Sequence, residues 1–62
     1  MIGVKKKIAR MGEGCLCYVK QTAGGTEFAA VISEVRDDGV VLHTIKLGRE
    51  KFFSYEELEY VI

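Results

Sequence analysis

Cys15, Cys17 and His43 are the residues of this chain whose types could hold a metal or act as nucleophiles. Thiolate and imidazole are good zinc ligands, but a structural zinc site takes four, and its cysteines usually come as Cys-x-x-Cys. Cys15-x-Cys17 departs from that spacing, and the chain has no third cysteine and no second histidine. On a strand, residues two apart share a face, where cysteine behaves as a small apolar side chain. The same geometry opposes a disulfide between them, so free thiols are expected, as in a reducing compartment. A nucleophilic thiol needs neighbours that lower its pKa, and nothing in the spacing sets His43 beside either sulfur. Glu56, Glu57 and Glu59 supply carboxylates, yet Glu56 and Glu57 are adjacent and diverge, with no partner that tunes either for acid–base work. Gly24-Gly25 and Gly12-x-Gly14 are too short for phosphate loops. These residues predict no metal, no cofactor and no enzyme.

A second group carries charge. Lys5, Lys6, Lys7 and Arg10 stand together near the start, and Tyr18 and Lys20 on a following strand add a stacking face and another cation. They make nucleic acid the alternative partner: four cations on duplex phosphates would give a salt slope of about −3 to −4. The simpler role for the arm is to keep a greasy small protein soluble. Net charge is zero, with residues 1–31 at +3 and residues 32–62 at −3. That balance argues against a chain that coats nucleic acid with its whole surface.

The elements that must position these side chains are short. Sixty-two residues allow one domain, and folding buries only about 60% of the surface of such a chain. Residues 1–11 read as a basic arm or a first strand, and residues 12–62 as the folded domain. Strands are expected at 15–20, 27–36, 40–47 and 51–53, separated by Gly-containing turns. Asp37-Asp38-Gly39 is a hairpin signal, with Gly39 available for positive φ. A two-residue turn would set Glu34 opposite His43, and a three-residue loop would set Ser33 there. Ser54 and Glu57 have capping-box spacing, and Phe53 and Leu58 that of a hydrophobic staple, so one helical turn precedes a final strand at 60–62. In either hairpin register both faces of the 27–47 ribbon are apolar. One face can fill a core; the other must meet something. Phe28, Ile32, Val41, Ile45 and Phe52 are the candidate protein-interface residues.

The order of strand, loop, long strand, tight hairpin, short strand, helical turn and final strand resembles the Src-homology-3-like barrels, which include Tudor and KOW modules. That resemblance covers roughly residues 12–62 and implies an all-β fold, a five-stranded small barrel. The layout is similar to the plasmid type II dihydrofolate reductases, through Met11-Gly12-Glu13 at the first strand and the helical turn around Leu58 at the end. Where those enzymes carry Val-Gln-Ile-Tyr, this chain has Lys51-Phe52-Phe53-Ser54, so the activity does not carry over. What the resemblance implies is assembly through apolar outer strands. Tyr18, Phe28, Phe52, Phe53, Tyr55 and Tyr60 are too scattered to assign the aromatic cage of a Tudor module. The expectation is a non-enzymatic binding module, a homo-oligomer that recruits a protein partner through an apolar strand face. No run approaches the ~20 apolar residues of a membrane span and no apolar stretch follows the first cations, so the chain reads as cytoplasmic.

Overall fold

Val4, Ile8 and Met11 recur at helical spacing, and residues Val4–Met11 form helix α1. Over Val4–Met11 the expected arm is therefore neither loose nor a first strand. Its apolar stripe docks on the sheet, with Ile8 fully buried and Val4 and Met11 packed against the core. The helix stops where Gly12 takes φ 81° and donates its N–H to the Ile8 carbonyl at 2.9 Å. The computed structural model describes residues 3–62; Met1 and Ile2 of the expected arm lie outside them.

Five strands follow: β1 (Leu16–Gln21), β2 (Glu27–Val35), β3 (Gly39–Thr44), β4 (Arg49–Ser54) and β5 (Leu58–Val61). They form one antiparallel sheet in the order β4-β3-β2-β1-β5. A 3-10 turn at Tyr55–Glu57 joins the two edge strands, so the fold is a small all-β, barrel-like domain with one short helix. The Ser54 N–H donates to the Glu57 carboxylate at 2.8 Å, one arm of the expected capping box, and the staple residues Phe53 and Leu58 are both buried. The inner face carries Cys17, Val19, Ala30, Ile32, Val40, Leu42, Phe53, Leu58 and Val61, which with Ile8 make the core.

The β2–β3 hairpin takes neither expected register. Arg36 N–H bonds the Gly39 carbonyl at 2.9 Å, so the turn is Asp37-Asp38, one residue earlier than expected. Val35 pairs with Val40 and Glu34 with Val41, and then a bulge at Ser33 shifts the ladder to Ile32–Leu42 and Val31–His43. The extra residue resets the alternation, so Ile32 and Val35 both reach the core side although three positions separate them. Gly39 does not use positive φ. It is required for another reason: a Cβ there would collide with the Phe53 carbonyl oxygen and the Phe52 ring, which lies over it.

Candidate functional site

The outer face of the sheet follows from the same register. Residues paired across strands share a face, which gives three outward rows. Tyr18 exchanges both backbone hydrogen bonds with Ile62, at 2.7 and 2.9 Å, and pairs with Ala29, whose carbonyl accepts the Ile45 N–H at 3.2 Å. Leu16 pairs with Val31, Val31 with His43, and His43 with Glu50. Glu34 pairs with Val41 and Val41 with Phe52. Among the described residues six large apolar side chains are exposed, and all but Leu47 stand in these rows: Leu16, Tyr18, Ile45, Phe52 and Ile62, between 37% and 67% exposed. Val31, Val41 and Ala29 are half-buried between them.

Polar contacts ring this patch. Arg36 bonds Glu34 at 2.8 Å and lies 5.5 Å from the centroid of the Phe52 ring. That pairing lowers the Glu34 pKa, through the hydrogen bond first and the guanidinium charge second. The Ser33 hydroxyl donates to Glu50 at 3.0 Å, and His43 Nδ1 lies 3.9 Å from the same carboxylate. At the β1–β5 edge Glu27 accepts from Tyr60 at 2.6 Å and from Tyr18 at 3.4 Å. The bond to Glu27 is the main reason that the Tyr60 hydroxyl is pushed up to about 12. An apolar centre with a hydrogen-bonded rim is the anatomy of a recognition surface.

The interface candidates divide. Val41, Ile45 and Phe52 stand on this outer face. Ile32 is fully buried, and Phe28 pairs with the buried Val19 and packs its ring 5.7 Å from that of Phe53, so both belong to the inside. The physical cause is the strand period of two: Phe28 and Ile32 are four apart, in phase with Ala30 and the core. Leu16, Tyr18, Val31 and Ile62 complete the patch without having been expected there. The signal for Leu16 lay in the sequence, since Cys17 and Val19 on the core side leave Leu16 and Tyr18 outside.

The charged candidates also separate. Lys5, Lys6 and Arg10 lie on the solvent side of α1, which packs its other side into the core. Lys5 pairs with Asp37 at 3.2 Å and Lys7 donates to the Val61 carbonyl at 3.2 Å. Tyr18 and Lys20 are on the outer sheet face, where Lys20 pairs with Glu59 at 3.5 Å. The helix cations and the β1 pair therefore form two groups, not one stripe. Cys17 is in the core and His43 on the opposite face. Both thiols are free; burial first and the neighbouring Cys15 second push the Cys17 thiol up, away from the reactive range. Among the described residues no group of three His, Cys, Asp or Glu is placed to hold a metal ion. Nor is any helix among them long and apolar enough to cross a membrane.

In comparisons with known proteins, no family model, no curated protein and no solved structure matches the chain.

Proposed function

We propose that this chain is a non-enzymatic binding module, of Src-homology-3-like type, that works as a homo-oligomer through the outer face of its sheet. The observation that carries the reading is the collection of Leu16, Tyr18, Ile45, Phe52 and Ile62 on one face, around Val31 and Val41. The occupant is a second copy of the chain. The patch runs across the sheet from Ile62, bonded to Tyr18 of β1, to Phe52 of β4, in a molecule only 29 × 25 × 18 Å in extent, so a face-to-face pair uses most of one side of each protomer. Such a pair falls towards the lower end of the stable interface range, near 1,200 Å² in total. Assembly is then concentration-dependent, and a protein partner that competes for the same face would be recruited by exchange. Two of the four helix cations already have partners within the protein, Lys5 with Asp37 and Lys7 with Val61. That supports protein recognition ahead of nucleic-acid binding.

Sedimentation equilibrium across a hundredfold range of concentration tests the reading. A mass rising from one to two chains is the expected result. A monomer at millimolar concentration, or a mass that depends on salt and added oligonucleotide but not on protein concentration, overturns it.

A further inference from the structure

The inside of the barrel is closed by α1 at the end of the Asp37-Asp38 turn and left open at the other. There, between the β1–β2 and β3–β4 connections, is a cleft of about 420 Å³. Small-molecule sites have this size and favour the mouths of β-barrels. Four strands line it, through Gln21, Phe28, Thr44, Lys51 and Phe53. The Phe28 and Phe53 rings, with centroids 5.7 Å apart, supply an apolar wall. Leu47, the exposed apolar side chain that is absent from the outer face, stands on the lip.

Lys51 is the informative residue. It pairs with the buried Leu42, so it occupies an inner-face position on an edge strand, and its Nζ lies 5.2 Å from the centroid of the Phe53 ring. Lys46 also lines the cleft. Among the described residues neither lysine has an ion-pair partner. Glu27 borders the cleft too, but both its oxygens are engaged by Tyr18 and Tyr60. Two unmatched cations therefore stand beside an aromatic wall whose nearby carboxylate is occupied elsewhere. We propose that the cleft binds a small amphiphilic anion, an apolar-tailed carboxylate. Its tail lies against Phe28 and Phe53, and its head between Lys46 and Lys51 within reach of the Gln21 amide. This site opens at the mouth of the barrel and meets the outer face only at Glu27 and Ala29, so it does not depend on self-association.

An inward lysine on an edge strand also discourages sheets from pairing edge to edge, a role that needs no ligand. Titrating the isotope-labelled protein with octanoate and with 1-octanol, following backbone amide shifts, separates the two. The expected result is saturable octanoate shifts at Phe28, Thr44, Lys46, Leu47, Lys51 and Phe53, which line the cleft. Binding of 1-octanol, and of octanoate to the Lys46→Glu/Lys51→Glu variant, should be weaker by about tenfold or more, since each reversal turns an attraction into a repulsion. Lys46→Ala, on an exposed turn, should weaken octanoate by a few-fold and provides a second variant in a fold left intact. Equal binding of acid and alcohol, unchanged affinity in the charge variants, or no saturable shift overturns the proposal. So do shifts confined to the amides of Leu16, Val31 and Val41.

Discussion

Leu16→Ala is the substitution that separates assembly from folding. Leu16 is 65% exposed and stands in the middle outward row, paired with Val31. Fully burying a leucine side chain is worth roughly 1.5–3 kcal/mol, so covering the exposed 65% in an interface contributes about 1–2 kcal/mol per protomer. A two-fold dimer presents each residue twice, so the substitution should cost assembly about 2–4 kcal/mol, a dissociation constant weaker by roughly 30- to 700-fold. The fold of the monomer should hardly notice, because surface substitutions away from special features stay within about 0.5 kcal/mol. Sedimentation equilibrium gives the first quantity, and chemical denaturation below the dissociation constant gives the second. Equal dissociation constants for variant and wild type would refute the outer face as the interface. A dissociation change matched by an equal loss of monomer stability would show that Leu16 serves the core instead.

Three further outcomes test the fold that presents this face. Ile8→Ala should cost about 2–5 kcal/mol, the range for a buried large aliphatic residue, and should be read as a much lower denaturant midpoint; an unchanged midpoint would mean that α1 is not docked. Gly39→Ala should cost about 1–3 kcal/mol by overpacking, lowering Tm by several degrees in a domain of this size. Gly39→Ala melting with the wild type would remove the collision with Phe52 and Phe53. Tyr60 holds its proton more tightly folded than unfolded, because its hydroxyl donates to Glu27. Its contribution to stability is therefore complete below the ordinary tyrosine value of 10.0 and is lost as pH rises towards about 12. Absorbance titration at alkaline pH should show a late tyrosinate step that Tyr60→Phe removes.

Much of the sheet was legible because its signals are local. Asp37-Asp38-Gly39 sits at the hairpin, Ser54 and Glu57 meet at the 3-10 turn, and the alternation Cys17, Val19 marks one side of β1. The register was not legible for two reasons: the turn forms at Asp37-Asp38, because Gly39 serves close packing and not positive φ, and a bulge at Ser33 that no local preference announces then moves every pairing beyond it. Helix α1 was readable in principle from Val4, Ile8 and Met11 with Gly12 behind them. Eight residues make a helix too short to persist alone, so it exists by docking Ile8, a contact with residues far along the chain. The same dependence on long-range pairing hid the division of the interface candidates. Phe28 and Ile32 look as apolar as Val41 and Phe52, and only the inward phase of β2 tells them apart.

The helix also explains why one face of the sheet is covered and the other exposed. A sheet that is apolar on both sides has two surfaces to cover and, in 62 residues, little chain to do it with. α1 supplies Val4, Ile8 and Met11 to the inner side, and the curl of the sheet brings Phe28 and Phe53 together there. The outer side receives no segment of the described chain. Its apolar rows are bordered instead by paired charges, Glu34 with Arg36 and Glu59 with Lys20. If those rows served only folding, polar residues would satisfy the outer strand positions nearly as well, since Leu16 and Ile62 keep 65% and 67% of their surface exposed. Replacing both with lysine should accordingly leave the monomer folded while abolishing its association. A double variant that unfolds would place these side chains in the stability of the sheet itself.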